Sequence, residues 1–266
     1  MEMEFENILY VKENGIATIT LNRPETLNSS GLRMIEELIE ALEDARRDSE
    51  VKVVVGTGAG RAFSSGGNVR EMSSSPMEGT LAQIRSQMLE GFPRMARLVR
   101  EMDKPYIGAI NGPAIGGGME LSNLFDIRIA SERAFFSMAY IRMGQIPAGG
   151  GCYILPRIIG IARAAELIWT GRRFSAEEAL QIGYVSRVVP HDELLPQTMD
   201  LASQIAKGPS VAIQLDKHLI YRCLDLDLDN ALEAHSWAAL VAQSTEDARE
   251  GPRAWVEKRE PMFKGR

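Results

Sequence analysis

The chain has 266 residues with 36 acidic and 30 basic side chains, which gives a formal charge of −6 at pH 7. Apolar residues make up 45% of it and charged residues 25%, a balance typical of a globular protein and unlike that of disordered chains. The acidic excess argues against nucleic acid and against an anionic membrane surface as partners, because both require basic patches.

Cysteine and histidine are scarce. Cys152 and Cys223 are the only cysteines, and the three histidines are far apart in the sequence, without the spacing of metal ligands. The N-terminal segment MEMEFENILY is acidic and lacks the basic and apolar regions of a secretory signal. No run approaches 18 apolar residues. We therefore expect a cytoplasmic protein without a structural metal or a membrane span.

Strands and helices are predicted to alternate over about the first 190 residues. Asn14-Gly15 between two β-forming runs predicts a hairpin. Further strands are predicted at residues 51–55, 106–110, 127–130 and 185–189. Apolar residues at helical spacing predict helices at residues 32–46 and 80–101. Ser175 followed by Glu178 predicts a capped helix start.

The remaining sequence is nearly all helical in pattern. Helices are predicted at residues 192–207, 209–222, 228–242 and 246–257. This order indicates an α/β core over residues 1–195 and a helical C-terminal region over residues 196–266. Two stretches, VKVVVGTGAGRAFSSGG and PYIGAINGPAIGGG, resemble each other and suggest a repeated strand–turn–helix unit.

Glycine-rich turns are the most informative motifs. Gly116-Gly117-Gly118 precedes a predicted helix whose first turn contains Glu120. The free N–H groups of a helix start favour an anion, and Glu120 lies near the same face. A second N–H group from Gly66-Gly67 would complete an oxyanion hole. Taken alone, the pattern also fits a tight strand-to-helix connection. A dinucleotide loop at residues 56–60 is disfavoured, because no helix follows it directly.

Several blocks in order resemble those of the enoyl-CoA hydratase/isomerase (crotonase) superfamily. The blocks are AFSSGGNVREM at residues 62–72, INGPAIGGGMEL at residues 110–121, DIRIA at residues 126–130 and EKREPMF at residues 257–263. The resemblance covers essentially the whole chain. It implies a spiral of repeated ββα units with a helical C-terminal trimerisation region, and a homotrimer or a hexamer formed by two trimers.

The resemblance also implies a coenzyme A thioester as substrate, with CoA part of the substrate and no separate cofactor. The oxyanion N–H groups map onto Gly67 and Gly117, and the proton-transfer glutamate maps onto Glu120. Residues expected to contact CoA or substrate are Leu27, Ser65, Gly66, Asn68, Val69, Gly116, Met143 and Phe263, the last of them on a neighbouring subunit's CoA. Met72, Met77, Met88 and Met138 are further candidates for an adaptable acyl pocket.

The sequence departs from the hydratase pattern at one important position. Tyr140 stands where these enzymes usually carry a second glutamate. Since a tyrosine hydroxyl has an ordinary pKa of about 10, it can donate or orient but is a poor general base near neutrality. A pocket-lining role for Tyr140 is equally open. Arg142 would hold a substrate carboxylate if it faced the pocket, but a solvated position is favoured.

The sequence therefore favours hydration, or the reverse dehydration, of an α,β-unsaturated acyl-CoA. Glu120 is expected to act as acid/base, with Tyr140 as an auxiliary. Another crotonase reaction remains open, namely decarboxylation, ring hydrolysis or isomerisation. A CoA-binding protein with little catalysis is the alternative of a different class.

Overall fold

The computed structural model describes residues 4–69 and 79–266. Nine strands form two sheets, at Ile8–Glu13 (β1), Ile16–Leu21 (β2), Val53–Gly58 (β3), Tyr106–Ile110 (β4), Ala114–Ile115 (β5), Ile127–Ser131 (β6), Phe135–Ser137 (β7), Phe174–Ser175 (β8) and Arg187–Val189 (β9). Eleven helices are at Leu32–Arg47 (α1), Leu81–Glu90 (α2), Phe92–Glu101 (α3), Gly117–Asn123 (α4), Gly151–Ile159 (α5), Ile161–Thr170 (α6), Ala176–Gln181 (α7), Leu194–Ala206 (α8), Ser210–Arg222 (α9), Leu228–Gln243 (α10) and Asp247–Glu257 (α11). These counts cover the described residues only.

The larger sheet has six strands in the order β1-β2-β3-β4-β6-β9. Only the β1–β2 pair is antiparallel, and it closes through the predicted turn, where Asn14 and Gly15 have φ of 52° and 79°. The other strands pair in parallel through helical connections. Alternation of strand, glycine turn and helix therefore produces the layered α/β core predicted from the sequence.

Both faces of this sheet are buried. Val54 of β3 packs in the main core with helices α1, α3 and α4. Its neighbours Val53 and Val55 face the other side, where they pack in a cluster with Ala202 of helix α8. This two-sided burial explains why β3 reads as a continuous apolar run rather than an alternating one.

A smaller sheet brings together the segments that carry the glycine turns. It has the order β5-β7-β8. Parallel bridges join Ser64 to Ala114 of β5 and Ser30 to Gly67. The turns after β3 and β4, although 50 residues apart in the sequence, therefore run side by side.

One local expectation was wrong. The helix predicted over residues 80–101 is two helices, α2 and α3, separated at Gly91. Pro93, in the first turn of α3, has no N–H group to continue the hydrogen-bond ladder of α2. At helix α7 the predicted Ser175 cap forms on the amide of Glu178, whose carboxylate binds Arg172. Within the described ranges, no helix has the length and apolar character needed to cross a bilayer.

Candidate active site

The two glycine turns lie against each other. A Cβ atom built on Gly66 would lie 2.4 Å from the carbonyl oxygen of Ile115 and 2.8 Å from the amide nitrogen of Gly117. Gly66 also has φ of +82°, so only glycine fits both the conformation and the space. Gly67, the next residue, is exposed. The backbone of Gly67 is thus held beside that of Gly117.

Helix α4 begins at Gly117 and packs against the glycine turn at Gly66-Gly67. A Cβ atom on Gly118 would lie 2.2 Å from the carbonyl oxygen of Ser64, so glycine is required for this close approach. The amide of Gly117 is in the first turn of the helix, where no intrahelical acceptor exists. Across residues 4–69 and 79–266, neither Gly67 nor Gly117 donates its N–H group to another residue. Gly116, at the N-cap, donates its own to Ser137 O at 2.8 Å.

The segment before helix α1 also contacts the Gly66-Gly67 turn, through hydrogen bonds to Ser65. Leu27 accepts a hydrogen bond from the amide of Ser65 at 2.9 Å, and Ser65 Oγ donates to the carbonyl of Thr26 at 3.2 Å. The buried Asn28 amide group fixes this arrangement by donating to the carbonyls of Ala59 and Ala62. Leu27 and Ser65, both predicted to contact CoA, are therefore brought together next to Gly66.

Ser30 is a neighbour of the turns that the sequence analysis did not single out. Its Oγ is buried and has no hydrogen-bond partner among the described residues. It lies 3.3 Å from the position that a Cβ atom on Gly117 would occupy. A buried hydroxyl without a partner costs about 1–3 kcal/mol, and this one lies directly beside the Gly117 turn.

Glu120 lies one turn along α4 and is 1% exposed. Its Oε1 accepts hydrogen bonds from the amides of Gly149 at 2.8 Å and Gly151 at 3.0 Å. Its Oε2 accepts from the hydroxyl of Tyr140 at 2.5 Å. Three donors from two other segments therefore hold the carboxylate in one orientation.

Burial is the main influence on the protonation of this carboxylate. Burial raises the pKa of Glu120, while the hydrogen bonds from Tyr140, Gly151 and Gly149 lower it without cancelling the rise. A carboxyl group with a raised pKa exchanges protons more readily near neutrality than an ordinary glutamate. This environment suits proton transfer.

Burial and the neighbouring Glu120 charge raise the pKa of the Tyr140 hydroxyl far above its ordinary range. Tyr140 therefore remains protonated and acts as a hydrogen-bond donor. Its position on the carboxylate agrees with the expectation that this hydroxyl assists Glu120. Arg142, two residues on, is exposed, as the sequence favoured.

Gly149 and Gly151 were missed by the sequence analysis, although a signal for them exists. Gly149-Gly150-Gly151 is a second triple glycine that opens a helix, as Gly116-Gly117-Gly118 does. A Cβ atom on Gly149 would lie 2.7 Å from the Cβ of Phe92 and 2.9 Å from the carboxyl carbon of Glu120. Only glycine therefore lets this backbone approach the carboxylate. Phe92, which also lies next to Gly117, forms a wall of the site.

Other predicted contacts lie further out. Asn68 is half-buried, and Val69 and Met143 are 52% and 56% exposed. Phe263 is half-buried and packs beside Gly251 of helix α11 in its own chain. Of the candidate acyl-pocket methionines, Met138 is buried beside Gly151, whereas Met88 is 43% exposed. Met72 and Met77 lie outside the described residues. Within the described ranges, no three metal-ligating side chains cluster.

Comparison with known proteins agrees with this geometry. The family model described as enoyl-CoA hydratase/isomerase matches residues 11–266. The chain belongs to the enoyl-CoA hydratase/isomerase family. It is 36% identical to the short-chain-enoyl-CoA hydratase of Clostridium acetobutylicum over 97% of both chains.

The chain is also similar to two further proteins of known name. The chain is 36% identical to the 1,2-epoxyphenylacetyl-CoA isomerase of Escherichia coli, over 99% of this chain and 100% of that protein. The solved structure of the enoyl-CoA hydratase from Bacillus anthracis superposes with a TM-score of 0.92 at 36% identity, covering 98% of this chain and 100% of that one. The predicted crotonase fold and family membership are confirmed.

Proposed function

We propose that the protein hydrates an α,β-unsaturated acyl-CoA, with the Gly67 and Gly117 N–H groups as oxyanion hole and Glu120 as acid/base. The observation that carries the proposal is the buried Glu120 carboxylate, oriented by three donors one helical turn from the Gly117 amide. The names of relatives such as the Clostridium hydratase support the same reaction.

The proposed mechanism follows from the charges that develop on the thioester. The thioester oxygen accepts hydrogen bonds from the two amides, so it can carry the negative charge of an enolate. Each such donor contributes about 3–4 kcal/mol to transition-state stabilisation. Glu120 removes a proton from water as the oxygen bonds to the β-carbon, and the resulting enolate is protonated at the α-carbon. The net change is addition of one water across the double bond.

Tyr140 supports this cycle as a donor to Glu120. Because the hydroxyl remains protonated, it stabilises the charged form of the carboxylate and fixes which oxygen faces the substrate. A single carboxylate then serves both proton transfers, since the tyrosine cannot take over as base.

The CoA portion of the substrate is proposed to run along the first glycine turn. Leu27, Ser65 and Gly66 are held together there, with Asn68 and Val69 directly after them. Gly116 is proposed to lie at the thioester, and Met143 and Phe263 to contact more distant parts. Since the chain has a net charge of −6, this polyanionic ligand must be bound by local donors rather than by the overall field.

We also propose that the protein is a homotrimer, or a hexamer of two trimers, built through residues 196–266. Large apolar side chains are exposed on the last two helices, including Leu228, Trp237, Leu240, Trp255 and Val256. Exposed apolar surface of this extent on adjacent helices favours a protein interface.

The proposal is tested with a panel of thioesters. The full-length protein is incubated with crotonyl-CoA, a cyclic dienoyl-CoA and methylmalonyl-CoA, and products are read by mass. Hydration of crotonyl-CoA, seen as a product heavier by one water, is the expected result. Carbon dioxide loss or ring opening without hydration would assign another reaction, and tight CoA binding without turnover would assign a binding role.

A further inference from the structure

A cavity of about 110 Å³ lies outside the candidate active site. Helices α3 and α5 form two walls, the end of α9 contributes Tyr221, and residues 123–126 and Arg128 form the floor. None of Gly67, Gly117, Glu120 or Tyr140 lines it. A cavity of this size accommodates a small ligand.

The lining of the cavity is cationic, although the chain as a whole is acidic. Arg100, Arg128 and Arg157 contribute three guanidinium groups, of which that of Arg157 is paired with the Asp225 carboxylate at 3.1 Å. One carboxylate, that of Asp126, also lines the cavity. That carboxylate is already bound by the ammonium group of Lys217 at 2.8 Å and by two further donors. The cavity therefore has an excess of positive charge that its own carboxylate does not neutralise.

Two of these guanidinium groups have no carboxylate partner within the described part of the chain. Arg128 is 9% exposed and donates to the backbone carbonyls of Tyr184 and Phe125. Arg100 lies 4.1 Å above the ring of Tyr221. Burial of charge without an opposite charge is unfavourable, so an anion in the cavity would be bound strongly.

A buried polar residue with an unpartnered amide nitrogen also borders the cavity. Asn123 is 3% exposed and lines the cavity. Its Oδ1 accepts a hydrogen bond from the hydroxyl of Tyr184 at 2.8 Å, while its Nδ2 is buried without an acceptor among the described residues. Because this nitrogen is fully enclosed, an anion in the cavity would be bound by the guanidinium groups instead.

The remaining walls are apolar. Leu124 and Phe125 line the floor, Val99 and Ile154 the sides, and the exposed Leu224 the mouth. A ligand that matches this lining has one anionic group and a short hydrocarbon chain. Inorganic phosphate matches the donors but leaves the apolar walls uncovered.

The geometry points to a binding site for a short aliphatic carboxylate in this cavity, with its carboxylate oxygens on the Arg100 and Arg128 guanidinium groups. The hydrocarbon chain packs on the apolar walls. The site is separate from the proposed acyl-CoA site, so occupancy of one does not require the other.

Binding is tested by calorimetric titration of the full-length protein with sodium butyrate at fixed ionic strength. Arg100→Gln removes one cation from the cavity and is expected to weaken butyrate binding by about tenfold or more. Ala96→Leu fills the cavity and is expected to abolish binding. Arg97→Gln is the matched control, because Arg97 is an exposed neighbour on the same helix that does not line the cavity.

Retention of the wild-type thioester activity by Arg100→Gln shows that this variant is folded. Saturable butyrate binding that is lost in Arg100→Gln and Ala96→Leu but kept in Arg97→Gln supports the site. The site is overturned if wild-type protein does not bind butyrate, or if all three variants bind it equally. Tighter binding of inorganic phosphate than of butyrate would overturn the assignment of an aliphatic carboxylate.

Discussion

The hydroxyl of Tyr140 donates to Oε2 of Glu120 at 2.5 Å, while the amides of Gly149 and Gly151 donate to Oε1. Tyr140, at the position where the family resemblance predicts a second glutamate, thus binds Glu120. The site therefore combines one carboxylate with a hydroxyl that remains a donor. This relationship determines what each substitution at the site should do.

Replacement of Glu120 by glutamine should abolish proton transfer while keeping the fold. The glutamine Oε1 can accept from the same two amides, and its Nε2 can donate to Tyr140. We expect kcat for crotonyl-CoA hydration to fall by about 10²–10⁴. The melting temperature should stay the same or rise, because an uncharged group replaces a buried carboxylate. Unchanged kcat would exclude Glu120 as the acid/base.

Replacement of Tyr140 by phenylalanine should move the acid limb of the pH–rate profile. The tyrosine hydrogen bond lowers the pKa of Glu120, so its loss raises that pKa further. Activity that needs the ionised carboxylate is lost as pH falls through this pKa. The limb should therefore shift to higher pH in the variant. A profile superimposable on that of the wild type would assign Tyr140 to packing alone.

Replacement of Gly149 by alanine should damage both stability and turnover. The new Cβ atom would lie 2.7 Å from Phe92 Cβ and 2.9 Å from the Glu120 carboxyl carbon, so the loop must move. Overpacking of this kind costs about 1–3 kcal/mol in the free energy of unfolding, measured by denaturant titration. Gly251→Ala is the control, since this glycine lies in helix α11 and its Cβ atom would make an ordinary 3.7 Å contact with the Phe263 ring. It should leave stability unchanged or increased.

Replacement of Ser30 by alanine should separate activity from stability. The hydroxyl is buried without a protein partner, so its removal should not lower the free energy of unfolding. If the hydroxyl contacts the thioester near Gly117, kcat/KM should fall by about tenfold. Ser29→Ala removes another unpartnered buried hydroxyl and provides the control for stability. Equal kcat/KM in both variants would argue against a contact between Ser30 and the substrate.

Local sequence determines several of the strands, helices and turns of this protein. The Asn14-Gly15 hairpin, strand β4 and helix α1 follow from turn chemistry and from apolar spacing, because these preferences act over a few residues. The glycine blocks indicate the family, and they predict Gly67, Gly117 and Glu120 as site residues from the sequence alone. The break between α2 and α3 was also encoded locally, in Gly91 and Pro93.

The tertiary structure decided which distant groups meet. Glu120 receives its donors from residues 20 to 31 positions away, and no periodicity in the sequence relates them. The position of Ser30 against Gly117, and the convergence of Arg100, Asn123 and Arg128 on one cavity, likewise depend on helix packing. Burial and hydrogen bonding depend on all neighbours in space, so the raised pKa of Glu120 follows from the fold and not from its place in the sequence.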